Sequence, residues 1–414
     1  MKIIPGNKWL LWLCGITFAV KLVLLFFFLP LHTISLWEDH AIALSIAETG
    51  EFKYFHNYQW NYNYNFPVYP YMAALIYSLF GINAKLVVVY HLILQLFTAY
   101  FLFHVFLKFL TFFNDTILNK RKELIAFTAV MFFLCHPLIT YYAIGNIFPF
   151  TQNLFFISGA FYFMFRLLEH WNTKNLLWYS LFLGLAVADR STAVTVTLPF
   201  LMFCFYTWKN KKALKKISVV AAISVVPLCI WVTRNYIVTG HVQLTSSMGE
   251  NLWLGIQEET GGTTQSQDGR TYYMLLSQED IRQLLKTDGA GQNEYYMQKY
   301  FSECKNDPGR VIKMFFVKMK HFWWFRPVMG MSYPADINDL IPVYKITYAT
   351  MLFFALCGVF IIGKKSLFIW SYLIGLSVIQ SLVYVEMRHR IIIEPWLIFF
   401  AVITLFYLFN KKKQ

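Results

Sequence analysis

The chain has 414 residues, 57% of them hydrophobic, 20% aromatic and only 14% charged, with a mean hydropathy of +0.47 and a formal net charge of +14. That composition excludes an ordinary soluble domain and defines an all-α polytopic membrane protein. The positive charge lies in short loops (Lys120-Arg121-Lys122, Lys209 to Lys216, Lys364-Lys365, Lys411-Lys412-Lys413) and no basic helix accompanies it, so nucleic acid is excluded as a partner.

The first segment, Trp9 to Leu29, is apolar except for Lys21 and long enough to cross a hydrocarbon core of ~30 Å. It lacks a small-residue cleavage site and reads as a retained helix. Shortly after it come Trp37-Glu38-Asp39-His40, two adjacent carboxylates and an imidazole at the edge of a membrane. Acidic side chains beside a bilayer are costly to bury and tend to be functional. Next is a tract of aromatics and amides, Tyr54 to Asn65, suited either to stacking on a sugar or to an interfacial aromatic belt. Segment 67–80 is apolar but too short to cross, and reads as a helix lying on the outer side of the bilayer.

About ten transmembrane helices are expected, at 9–29, 84–109, 124–143, 147–168, 175–188, 192–208, 217–233, 343–362, 366–385 and 391–409. With both termini cytoplasmic, every Lys cluster falls inside, as the positive-inside rule requires. Residues 1–233 then form an N-terminal membrane module whose first outer loop, 30–83, carries the acidic pair. Residues 234–342 form a small outer cap, with helices near 277–286 and 291–304 and an amphipathic helix from Val311 to Arg326. Residues 343–414 return to the membrane.

Charged groups converge on the outer face under this topology: Glu38 and Asp39, Asp189-Arg190, Arg234, and Glu386-Met387-Arg388-His389-Arg390. Arg190 interrupts a hydrophobic hairpin, and Arg388 and Arg390 stand outside, against the positive-inside rule. A guanidinium's fixed fork of donors matches phosphate geometry. Snorkelling or helix capping is the alternative for each arginine. His91, His104 and His136 lie in apolar spans and read as satisfied interior residues. Gly261-Gly262 is a turn and not a phosphate loop, since no strand or Lys-Ser/Thr follows. No zinc-type Cys/His spacing occurs, and adjacent Glu38, Asp39 and His40 rarely all reach one ion, so a divalent metal is not supported by ligand spacing.

Several of these motifs, in order, resemble the GT-C membrane glycosyltransferases, nearest to the protein-mannosyltransferase and aminoarabinose-transferase group. They are the acidic residues followed by Ala41 to Phe52, the Pro67-Val68-Tyr69-Pro70 element with Leu79-Phe80-Gly81, Arg234-Asn235-Tyr236, Ser246 to Gly255, and Arg388-His389-Arg390 before Glu394-Pro395. The resemblance implies a polyprenyl-phosphate-linked sugar donor and a lipid, glycan or protein acceptor. It also implies an outward-facing site in a bacterial inner (plasma) membrane. It implies a first-loop carboxylate as general base, Glu38 or Asp39, and phosphate contacts from Arg190, Arg234, Arg388 and Arg390. Sugar or acceptor contacts would come from His40, Tyr69 and Asn251. An acidic residue often present after the third span is replaced here by Asn146-Ile147-Phe148-Pro149. A transporter or flippase for a lipid-linked glycan and a non-catalytic glycan-assembly protein are the competing readings; the first would need inverted repeats or interrupted helices.

Overall fold

The computed structural model describes residues 6–113, 116–208, 211–264, 271–325 and 341–411. The chain runs α1 (Gly6–Val23), β1 (Ser35–Leu36), α2 (Glu38–Thr49), β2 (Tyr54–His56), β3 (Gln59–Asn61), α3 (Val68–Phe80), α4 (Ala84–Phe113), α5 (Thr116–Asn119), α6 (Lys122–Leu134), α7 (Pro137–Ile144) and β4 (Asn146–Ile147). It continues through α8 (Phe150–Glu169), α9 (Thr173–Asp189), α10 (Thr197–Trp208), α11 (Lys211–Ser224) and α12 (Val226–Thr239). The outer segment holds α13 (Met248–Leu254), α14 (Gln278–Lys286), α15 (Gly289–Asn306) and α16 (Pro308–Trp323). Helices α17 (Ile341–Ile362), α18 (Leu367–Leu382) and α19 (Glu394–Lys411) close the chain. Parts of the expected outer cap, residues 265–270 and 326–340 with the end of the amphipathic helix at Arg326, lie outside the described residues.

The main core joins α4, α6, α8, α9, α17, α18 and α19, with Phe106 stacked on Phe399 at 4.2 Å and Phe161 against Trp396 at 5.1 Å. Helices α8 and α9 approach closely because position 159 is glycine: a Cβ there would stand 2.2 Å from the Phe182 ring. Outward faces keep large apolar residues exposed, Trp12, Phe27, Tyr206 and Phe360 among them, as lipid contact requires. The protein is an integral membrane protein. On α1, Lys21 is buried and donates to Gln95 Oε1 at 2.9 Å on α4 and to the Leu134 carbonyl at 2.8 Å on α6. An interior amine is tolerated because its donors have partners.

Among the described residues, three helical stretches are long and apolar enough to cross a membrane: Lys8–Phe28, Ala84–Phe112 and Pro342–Leu382. Counting each bent pair as one span raises the number to five. The pairs are Lys122–Leu134 with Pro137–Ile144, bent by 51°, and Lys212–Ser224 with Val226–Thr239, bent by 42°. The sequence reading takes 124–143 and 217–233 as continuous, and prolines at 137 and 227 are the physical reason they are not. Elsewhere the difference from ten lies in short helices and in polar residues turned inward, such as Thr151, Gln152, Asn153 and Ser158 on α8.

Candidate functional site

One short strand pairing sets the site. Strand β1 runs parallel to β4, Ser35 opposite Asn146 and Leu36 opposite Ile147, so the first outer loop is fastened to the turn before α8. Trp37 then leaves β1 in an extended conformation, its Nε1 3.4 Å from Asn146 Oδ1 and its ring edge-on to Phe148 at 6.1 Å. Helix α2 begins at once, so both carboxylates stand in its first turn, where the helix dipole favours negative charge. Gly50 at φ 76° ends the helix.

Successive helical residues point about 100° apart, and the two acids meet unlike surroundings. Asp39 is 3% exposed and accepts a hydrogen bond from Asn65 Nδ2 at 3.0 Å. Burial first, then the neighbouring Glu38 charge, push its carboxyl well above the ordinary value; Asp189 adds to this, while Asn65 and Arg190 pull the other way without cancelling it. Glu38 is half-buried, with no hydrogen bond or ion pair among the described residues. His40 turns aside to α3, its Nδ1 2.8 Å from the Tyr77 hydroxyl.

Facing the acids is an aromatic floor with two cations over it. Phe148 and Phe150 lie 4.9 Å apart. The Arg190 guanidinium sits 4.9 Å from the Phe150 ring, and Arg388 sits 4.9 Å from Phe148 and 5.1 Å from Trp37. Arg190 is presented by an extended residue that ends α9, and it has no hydrogen-bond or ion-pair partner among the described residues. Arg388 is buried and its Nε stands 2.8 Å from Glu386 Oε2. Arg190 is electrostatically coupled to Asp39, Asp189 and Arg388, and Arg388 to Glu38, so acids and arginines share one neighbourhood. Asp189 is held by Gln152 Nε2 at 2.6 Å, and Gln152 accepts in turn from the Tyr90 hydroxyl at 2.6 Å.

Other expected site residues are placed elsewhere. Arg390 is fully buried: its Nη2 is 3.0 Å from the Tyr344 hydroxyl, its Nε 3.5 Å from Glu394, and its guanidinium 3.7 Å from the Tyr348 ring. It faces α17 and α19 and not the floor. Arg234 donates to the Tyr62 carbonyl and to Asn235 Oδ1 at 3.2 Å, beneath Phe52 and Trp231, and so ties α12 to the first loop. Tyr69 is buried behind α2 and bonded to His91 Nε2 at 2.9 Å, while His91 Nδ1 reaches the Ala143 carbonyl at 3.0 Å. Asn251 stands half-buried on α13. Among the described residues no group of three His, Cys, Asp or Glu side chains could hold a metal ion.

The aromatic–amide tract is in large part a seam. Asn61 accepts from Ser246 Oγ at 2.8 Å, and the Asn63 and Tyr64 carbonyls accept from Ser246 N and Ser247 Oγ, each at 2.8 Å. Glu250 completes it, bonded to His56 Nε2 at 3.0 Å, to Asn57 Nδ2 at 3.4 Å and to the Tyr272 hydroxyl. Burial disfavours the Glu250 charge, but His56 and these hydrogen bonds outweigh it and hold the carboxyl below its ordinary value. Sequence reasoning missed the floor, Asn65 and this buried pair. Phe148 and Phe150, flanking Pro149 at the start of a span, were the available signal for the floor.

This arrangement, an acidic first loop docked onto a helical membrane body, is similar in fold to a solved membrane oligosaccharyltransferase. The oligosaccharyltransferase of Archaeoglobus fulgidus, crystallised tethered by a disulfide to an acceptor peptide with the NVT sequon, matches 97% of this chain with a TM-score of 0.52 and 13% identity. The chain spans about half that protein's length, 50% of it. ArnT from Cupriavidus metallidurans aligns less well, with TM-scores of 0.41 in the apo state and 0.39 bound to undecaprenyl phosphate, both at 13% identity. Those alignments cover 97% and 98% of this chain, and 78% and 79% of ArnT. No protein-family model matches the sequence, and no curated protein matches it.

Proposed function

We propose that the chain transfers a sugar from a polyprenyl-phosphate carrier to an acceptor hydroxyl at the outer face of the membrane. The observation that carries this reading is the Arg190 guanidinium, held over the Phe150 ring without an ion-pair partner among the described residues and within electrostatic reach of the buried Asp39 carboxyl. Asp39, oriented by Asn65, takes the acceptor proton; the acceptor oxygen attacks the anomeric carbon; the carbon–oxygen bond to phosphate breaks and its electron pair leaves with the lipid phosphate. Charge growing on that phosphate is met by Arg190 and Arg388, fixed over their rings before the reaction begins. Arg234 and Arg390 hold the scaffold, and helices α13 to α16 cap the site from outside.

Purified protein incubated with radiolabelled polyprenyl-phosphate sugars should move label to acceptor, and Asp39→Asn should not. The bent pairs α6–α7 and α11–α12 favour a second reading, since interrupted helices mark carriers of lipid-linked substrates. A flippase would carry the labelled donor across a vesicle with its sugar–phosphate bond intact. Cleavage with transfer excludes that reading as sufficient, and movement without cleavage excludes the enzyme.

A further inference from the structure

The loop between α18 and α19 carries a third polar group into the same neighbourhood. His389 is 2% exposed, packed edge-on to Tyr384 at 5.1 Å and against the Phe150 ring at 6.3 Å, the ring that also carries Arg190. Its Nδ1 accepts a hydrogen bond from the Glu386 backbone N–H at 3.2 Å. That contact fixes the tautomer, because an accepting Nδ1 leaves the ring proton on Nε2. Nε2 is buried and has no hydrogen-bond partner among the described residues. A buried donor without an acceptor costs free energy, so its retention calls for an explanation. Burial first, then the Arg190 and Arg388 charges, hold the imidazole well below its ordinary pKa, so it stays neutral and cannot serve as an acid at neutral pH.

We infer that His389 Nε2–H is a neutral third donor to the anion held by Arg190 and Arg388, the phosphate of the lipid carrier. The inference rests on the glycosyl-transfer reading above and adds to it a residue with a defined direction of donation. Two guanidinium groups and one neutral N–H surround an anion without adding a third like charge, which would raise the cost of burying the cluster. The Glu386 residue then acts twice: its carboxylate holds Arg388, and its backbone holds the histidine tautomer.

Two substitutions separate the ring's nitrogens. Asparagine keeps an acceptor near the Glu386 N–H but is too short to reach the Nε2 position; glutamine places an N–H near that position. Undecaprenyl phosphate binding is measured on the purified full-length protein in detergent, with thermal unfolding as the check on folding. His389→Asn should weaken binding about 10-fold, and His389→Gln should stay within about 3-fold of wild type. Wild-type affinity in His389→Asn, with Arg190→Ala clearly weakened, overturns the donor role and leaves the phosphate site standing. Equal weakening in both His389 variants also overturns it, since that is the behaviour of a packing residue. No binding by the wild type would refute the underlying transferase reading itself. Should His389→Asn fail to fold, the glutamine variant still decides, because a 10-fold loss there contradicts the inference.

Discussion

Asp39 and Glu38 differ by one position and have unlike burial and partners, and that difference is measurable. Because Asp39 has a raised pKa and must be ionised to take a proton, turnover should rise with pH through that raised value. Glu38→Gln removes a repelling charge, so the acidic limb of the profile should move to lower pH; a limb that stays put would contradict the pairing. Asp39→Asn should cost ~10²–10⁴-fold in rate. The same shift has a stability sign: a carboxyl whose folded pKa is raised is stabilising when protonated at low pH and loses that contribution as pH rises through the folded value. Asp39→Asn should therefore unfold at a higher temperature at neutral pH even as activity falls. The arginines divide likewise. Arg190→Ala should weaken donor binding ~10- to 100-fold with little loss of stability, the usual value of a charged contact. Arg390→Ala should chiefly destabilise, by about 3–5 kcal/mol, since it leaves buried Glu394 without its arginine, with only the Tyr344 hydroxyl and His136 beside it. The acids were legible in the sequence because charge beside an apolar span is conspicuous. The split between Arg388 and Arg390 was not: in a 3₁₀ turn, residues two apart lie about 240° around the axis, and only the fold decides which faces the site.

At the scale of elements, short motifs carry the legible part. The helix expected near 277–286 is α14, where Ser277 and Asp280 close a capping box and Asp280 is also bonded to Lys299 at 2.6 Å. Ser277→Ala should cost about 1 kcal/mol, seen as faster amide exchange in the first turn of α14; unchanged protection there would deny the box any energetic role. Helix α3 follows equally plainly from its apolar run. The β1–β4 pairing does not, because two-residue strands 111 positions apart (Ser35 to Asn146, 146 minus 35) show no periodicity. The bends in α6–α7 and α11–α12 were available from Pro137 and Pro227, but a continuous apolar pattern hides a break whose freed backbone groups are satisfied inside the protein.

For the whole molecule, composition decided the membrane class and the order of motifs pointed to the fold, while the number of crossings depends on breaks and tilts that hydropathy does not register. Orientation can be tested directly. A reporter fused after Lys212 should signal the cytoplasm, and one fused after Asn306 the outer compartment. The opposite pattern would turn the acidic loop and its arginines inward and remove the proposed site from its substrate.

Lys21 also sets a timetable. During synthesis it enters the bilayer long before its partners exist, since the Leu134 carbonyl is made 113 residues later. At roughly 5–20 residues per second that interval is on the order of 10 s. Until Gln95 arrives, 74 residues on, the lysine has neither partner, and a lysine unpaired within a membrane span carries a penalty of up to about 2.5–3.5 kcal/mol. Helix α1 can settle fully only once the end of α6 has emerged, so a segment made before α6 is locked only after it.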